Sequence, residues 1–458
     1  MKKKNFIWVS ALCACLSMGF VSCDDEDDPV PADVPSAVVT GLSFTDENEK
    51  VNTLSGTLSW TAPASVENVT KYVIYASSSA TVKTEKLGEV NVGTNSFTLT
   101  DVTNLGYLLV FAANELGEAE ACASIEVVDN EGTDGSIFQL YFLNSGNMGN
   151  NNATLTMYDP ETGESDPDYF MTQNGRGLGD TAQDIIVYGE KMYIAVYGES
   201  TIEVTDLRAK SIKQIRTEGQ PRYMVADGGK VYVTYYNGYV ARLDTASLEV
   251  EATVPVGRNP EQLAVANNKI YVANSGGMDY STPVGYDKTV SVVDISTFAA
   301  TEKIEVVLNP TKIQADERGN VYVISMGNYG DVPNTLQRID GQTGEVSVLE
   351  ACPNATDMTY LDGVLYTYYS QWTASGLPST TFTSYNTTTG ATENWIKDGT
   401  AIAQPYSVSA TGACVYVAES DYTNNGDVYA FDTDGSLIVS IEAGLNPMKV
   451  VLAQKDDF

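Results

Sequence analysis

Histidine is absent from all 458 positions of the chain. That zero excludes Ser-His-Asp and Cys-His nucleophilic catalysis, imidazole-ligated zinc, copper or non-haem iron, and the usual general base near neutral pH. Basic residues are scarce too: 26 Lys and Arg stand against 60 Asp and Glu, a formal net charge of −34. No basic stripe interrupts the deficit, so a polyanion is repelled at every approach and nucleic acid is excluded as a partner. Six cysteines are present. Cys13, Cys15 and Cys23 fall in the N-terminal segment, while Cys122, Cys352 and Cys414 are scattered without short spacing. These last three support neither a disulfide framework nor a zinc knuckle, and read as small apolar packing residues. No cofactor, metal site or catalytic residue is assigned.

What the chain does have is a repeat. An apolar strand built around a tyrosine recurs at Tyr141, Tyr193, Tyr232, Tyr271, Tyr322, Tyr366 and Tyr416, at intervals of about 39 to 52 residues, the range of a four-stranded propeller blade. KMYIAVY, KVYVTYY, KIYVAN, NVYVIS, VLYTYY and CVYVAE alternate with period two, as strands do. Pro221, Pro260, Pro310 and Pro405 mark a preceding strand eleven or twelve residues before their tyrosine, with Ala182 and Ala355 in the equivalent place. Tyr141 has no such partner, whereas the chain ends on GLNPMKVVLAQ, a proline-led strand with no tyrosine strand after it. Pro447 to Ala453 is therefore expected to pair into the first blade and close a seven-bladed ring, removing its exposed edges. Segments such as YDPETGE, LDTASLE and IDGQTGE read as turns in which Asp accepts backbone N–H bonds, not as calcium loops.

The start, MKKKNFIWVSALCACLSMGFVSC, has a basic head and an apolar run too short to span a bilayer, and reads as a signal peptide over residues 1–22. FVSC resembles a bacterial lipobox, which implies lipidation of Cys23 and a membrane contact through that anchor alone. The following DDEDD resembles the export signal of Bacteroidota surface lipoproteins, which implies an outer-membrane location facing outward, with residues 23–35 as an acidic tether.

Residues 36–129 form a separate all-β unit: LSGTLSWTAP, KYVIYASS, NSFTLTDV and YLLVFAANELGEAEACASIEVV alternate between turn residues. Trp60, Pro63, Tyr72, Tyr75 and the Val110, Ala112, Asn114, Gly117 series resemble an Ig-like fibronectin type III module, which implies a two-sheet sandwich with Trp60 in its core. Residues 130–135 are a polar linker, and 136–458 the propeller. The fold class is thus all-β, a sandwich followed by a seven-bladed propeller closed by its C-terminal strand.

In such a blade the loop after the second strand and the loop into the next blade share one face. After the second strand the loops are short in the Tyr193 and Tyr232 copies and long elsewhere: NSGNMGNNNAT, NSGGMDYSTPVGYDK, SMGNYGDVPNT, YSQWTASGLPSTT and ESDYTNNGD. Asn, Gly, Ser and Tyr dominate, with Trp372 at a loop tip, the composition of adaptable binding loops. The residue after each leading proline, or its equivalent, is expected to face the axis: Gln183, Arg222, Glu261, Thr311, Thr356, Tyr406 and Met448. One carboxylate in so mixed a ring favours a large organic ligand over a catalytic cation. The expected contacts are Gln183, Arg222, Glu261 and Tyr406 from the ring; Tyr280, Tyr286, Tyr329, Trp372 and Tyr422 as aromatic anchors; and Asn144, Asn147 and Asn274 to set orientation. A glycan- or protein-binding adhesin, or a histidine-free lactonase or lyase working through Asp180, Glu261 or Asp279, stays open beside this reading.

The runs LNSGN with NNATLTMYDPETGE, GLGDTAQDIIV, GQPRYMVADGGKVYV and the closing GLNPMK resemble the YncE-like/DUF5074 propeller lipoproteins of Bacteroidota. The resemblance to their BtuG-type members implies capture of a small-molecule nutrient, a corrinoid such as vitamin B12, for delivery to a TonB-dependent outer-membrane transporter.

Overall fold

The computed structural model describes residues 33–47, 53–103, 106–127, 137–372 and 378–455. The signal segment, Cys23, most of the acidic tether and the linker 130–135 lie outside these. Two compact units emerge, Met1–Ser136 with Asp456–Phe458, and Ile137–Lys455.

In the first unit, Thr40–Ser43, Leu54–Thr61 and Ser96–Val102 form a three-stranded sheet. Glu85–Asn91, Lys71–Ser77, Tyr107–Asn114 and Gly117–Glu118 form the second, where Ala123–Glu126 also pairs with Tyr107–Asn114. Leu54–Thr61 alternates strictly between buried and more open positions, so Leu58 and Trp60 face Tyr72, Ile74, Leu108 and Val110 across one shared core. Trp60 meets Tyr72 edge-on at 5.5 Å, the geometry their ring quadrupoles favour. Glu85–Asn91 went unread in the sequence because its charged residues mask the alternation. It is an edge strand, where Lys71 and Lys86 both pair with Glu89 and charge discourages further pairing.

Among the described residues, the second unit carries seven four-stranded antiparallel sheets. Six use four consecutive strands. In the remaining one, Pro447–Lys455 pairs with Ile137–Asn144, which continues through Thr154–Tyr158 to Ser165–Asp166. A single helical turn, Tyr169–Asn174, follows, capped by the Asp168 side chain on Met171 N–H. The first strands of successive sheets pack on one another, and Pro447–Lys455 packs on both Pro405–Thr411 and Ala182–Tyr188, so the ring of inner strands closes.

Among the described residues of this unit the apolar side chains form no central core but seven separate clusters, each between two neighbouring sheets, and the cluster of Leu140, Phe142, Tyr416, Val428 and Val450 joins the last sheet to the first. Each repeat tyrosine belongs to a different cluster. That is the physical content of the repeat: one large side chain per sheet, at most 5 % exposed, wedged against its neighbour and contributing about 2–3 kcal/mol by burial.

The turn reading also matches the geometry. Asp159, Asp244 and Asp340 each accept N–H bonds from residues two and three further on. YSQWTASGLPSTT, expected as a loop, is not one throughout. Strands Val364–Trp372 and Pro378–Asn386 run through most of it, because its β-branched and aromatic residues extend the ladder. Trp372 is thus a strand terminus, and its side chain lies outside the described part.

Candidate functional site

Six inner strands shift register where they begin, between Ala182/Asp184, Pro221/Met224, Pro260/Leu263, Pro310/Lys312, Pro405/Ser407 and Pro447/Lys449. Such a bulge breaks the period-two alternation. The residue after the leading position and the one beyond it therefore both reach the axis, as Gln183 with Asp184 and Arg222 with Tyr223 do. All seven inner strands line one channel of about 500 Å³.

Two ion pairs stitch its wall. Lys449 Nζ lies 2.7 Å from Asp184 Oδ1, while Asp184 Oδ2 accepts from Met224 N–H at 2.7 Å, tying three neighbouring inner strands together. Lys312 Nζ lies 3.0 Å from Asp357 Oδ2 on the next strand. Both carboxylates are buried. Burial pushes the Asp184 carboxyl upward, which Lys449 only partly offsets. For Lys312, burial acts to lower the ammonium, but Asp357 together with Tyr223 and Glu261 holds the group above the ordinary lysine range. Alternation alone did not point to Asp184, Tyr223, Lys312, Asp357 and Lys449. A usable signal existed, since charged residues inside apolar strands such as AQDIIVY and PTKIQA are rarely buried without a partner.

At the mouth of this channel sits Arg222. Its Nε donates to Glu261 Oε2 at 3.0 Å, its Nη2 to the same oxygen, and its Nη1 to Gln183 Oε1 at 2.7 Å. The guanidinium carbon lies 4.9 Å from the Tyr236 ring centroid, 5.5 Å from Tyr197 and 5.6 Å from Tyr223, within cation–π range. Gln183 Nε2 donates to the Tyr223 hydroxyl at 3.2 Å. Burial first and Glu261 second push the Tyr236 phenol up to about 12. Burial and then Tyr422 and Tyr223 push Tyr406 up to about 12. Both are neutral phenols throughout the physiological range.

Around the mouth, the loops carry exposed apolar side chains. Met148, Met278, Tyr280, Val284, Tyr329 and Tyr422 are 60–73 % exposed. The loops touch one another and the inner strands below: Tyr286 meets Tyr329 at 6.4 Å between ring centroids, Tyr422 meets Tyr406 of the inner strand Pro405–Thr411 at 5.5 Å, and Asn147 Nδ2 donates to Tyr422 O at 3.3 Å. Tyr329 and Tyr422 have φ of 57° and 64°, a left-handed conformation that costs a bulky residue roughly 1–2 kcal/mol. The 275–288 loop is strapped by Arg258, which pairs with Asp279 and donates to Gly285 O at 3.0 Å.

Of the residues singled out by sequence, Gln183, Arg222, Glu261 and Tyr406 converge on the mouth, while Tyr280, Tyr286, Tyr329 and Tyr422 stand on the loops. Asn144 and Asn274 do not stand with them. Both are fully buried, with amides spent on Thr154 and Thr156 in one case and on Thr289 and Ser291 in the other. Residue type suggested orientation of a ligand, whereas the second-strand ladder carries each amide inward to brace its own sheet. Asn147 bonds Asn446 and Tyr422 and holds the loop. The three carboxylates considered for hydrolysis are each engaged: Asp180 by Gly149 N–H and Thr181, Glu261 by Arg222, and Asp279 by Arg258. Among the described residues no group of three Cys, Asp or Glu side chains is placed to hold a metal ion.

The model of the family described as "Domain of unknown function (DUF5074)" matches residues 139–442. The chain belongs to this family. No curated protein matches it. Among solved structures, this DUF5074 protein is similar to Kuenenia stuttgartiensis hydrazine synthase at 17 % identity, over 58 % of this chain and 87 % of the other, with a TM-score of 0.49. A quinonprotein alcohol dehydrogenase-like protein from Bacteroides thetaiotaomicron is 14 % identical over 91 % of this chain and 96 % of its own, with a TM-score of 0.48.

Proposed function

We propose that this DUF5074 protein is a surface-anchored, non-enzymatic binding protein. Its second unit is a seven-bladed β-propeller that captures a nutrient on its long-loop face and hands it to a TonB-dependent outer-membrane transporter. The observation that carries this reading is the convergence of Arg222, Glu261, Gln183, Tyr223, Tyr236 and Tyr406 at the channel mouth, beneath a rim of exposed Tyr and Met side chains. Aromatic anchors with few rotamers around a small set of oriented polar groups are what a ligand site needs. Two exposed tyrosines in a strained backbone conformation support it further, because such strain clusters at ligand clamps.

In this reading the fibronectin III-like first unit is a spacer, Cys23 carries the lipid that anchors the chain to the outer membrane, and the cargo is a corrinoid such as vitamin B12. Calorimetric titration with cobalamin and a panel of corrinoids tests the cargo. Binding at micromolar affinity or tighter, weakened about tenfold by Tyr422→Ala, is the expected result. No heat with any corrinoid removes that cargo. Loss of membrane association in Cys23→Ala cells, read by fractionation, is expected of the anchor.

A further inference from the structure

The polar groups at the channel mouth are unevenly spent. Arg222 has five N–H groups, of which three are used, two on Glu261 and one on Gln183. The Gln183 carbonyl is taken by Arg222, and its amide gives one N–H to the Tyr223 oxygen. One Glu261 oxygen receives both Arg222 bonds, and the other faces Ser275 Oγ at 3.5 Å. Two Arg222 N–H groups, one Gln183 N–H and the Tyr223 O–H have no acceptor among the described residues. Among the side-chain acceptors of this cluster Glu261 Oε1 alone is weakly used, because the Ser275 hydroxyl donates to Asn259 O at 2.8 Å, whereas four donors are left over.

Charge narrows the chemistry. Glu261 neutralises Arg222, and the channel below holds Lys312 with Asp357 and Lys449 with Asp184, so the fixed charges cancel pair by pair. The chain as a whole carries −34 and opposes the approach of an anion at long range. A cation gains less here than an acceptor does, because the unspent N–H and O–H groups outnumber the unspent acceptor. Tyr197, Tyr236 and Tyr406 supply apolar faces beside the donors.

We infer that the channel mouth is a subsite for an uncharged carbonyl oxygen, amide or ester, borne on a ligand with a flat apolar face, and that Arg222 with Tyr223 donates to that oxygen. This deepens the capture reading above and rests on it. Leaving donors unpaired against a ligand lacking an acceptor costs affinity, which gives the site its selectivity.

Four probes with one ring and different polar ends test it on the whole chain by ligand-observed NMR titration: benzamide, benzoate, benzylammonium and toluene. Benzamide is expected to bind about tenfold more tightly than benzylammonium and ahead of benzoate and toluene. Arg222→Gln should reduce that preference to within about twofold, leaving toluene unchanged. Because Arg222→Gln strands Glu261, Tyr223→Phe serves as the second variant. It keeps the ion pair and should lower benzamide affinity severalfold without affecting toluene. Benzylammonium binding as well as benzamide, benzoate outranking it, or a preference surviving both substitutions overturns the inference. All four probes binding alike, in a manner that Tyr422→Ala abolishes, overturns it while leaving a ligand face in place. No binding by any of the four overturns the inference, while the capture reading stands or falls separately on the corrinoid titration.

Discussion

At the residue scale, the two tyrosines with positive φ separate function from stability. Tyr329 and Tyr422 are mostly exposed, so little burial offsets the backbone strain at φ 57° and 64°. Asparagine tolerates this conformation better than tyrosine does. Tyr422→Asn is therefore expected to raise the unfolding free energy by about 0.5–1 kcal/mol in a denaturant titration, and to weaken ligand binding about tenfold in calorimetry. A stabilised variant with unchanged affinity would count against a role for Tyr422 in binding. Tyr422 and Tyr329 were legible in the sequence as exposed loop aromatics. Their strain was not, because φ depends on how the loop ends are held, here by Ser420 on Tyr422 N–H and by Asn328 across the 326–334 loop.

At the element scale, the inner strands decide where chemistry can occur. The period-two pattern identified them and named one axial residue for each. It missed Asp184, Lys312 and Lys449 because the bulge after the leading position turns a second residue to the same side; Asp357, which it also missed, begins the one inner strand that pairs without such a shift. Lys449→Met leaves Asp184 buried and unpaired in the seam where the last strand meets the second sheet, and should cost about 3 kcal/mol. The double variant Asp184→Asn with Lys449→Met should recover most of that loss, since it removes the stranded charge. Equal loss in single and double variants, measured by chemical unfolding, would mean the pair is not coupled. The same seam explains why the chain end matters. Pro447–Lys455 supplies the inner edge of the first sheet and buries Val450, Val451 and Ala453.

At the scale of the whole molecule, charge dominates. With a net −34, mutual repulsion opposes compaction and is screened by salt, so the melting temperature at pH 7 should rise between 10 and 150 mM NaCl. Its pH dependence follows from the turns. Asp294, Asp340, Asp398 and Asp421 are held below the usual carboxylate range by the backbone N–H groups of Thr297, Thr343, Leu437 and Asn424. A carboxyl depressed in the folded state stabilises above its unfolded value of about 3.9 and loses that contribution as pH falls through its lower folded value. Melting temperature should therefore be flat between pH 6 and 8, where a chain without histidine has almost nothing to titrate, and fall below about pH 4. A transition near pH 6.5 in differential scanning calorimetry would contradict this.

Most strands of the second unit, their repeat and the pairing of its last strand with its first were readable from the chain, because alternation and spacing are local properties and a tyrosine strand lacking its proline-led partner implies a partner elsewhere. Tertiary structure alone decided which polar side chains meet. Gln183, Arg222 and Glu261 lie 39 residues apart in succession and join only because three inner strands stand side by side. Asn144 and Asn274, similar in composition to the loop residues beside them, turn inward because the ladder fixes the face of every second residue. Local pattern determines the element; the ring determines the site.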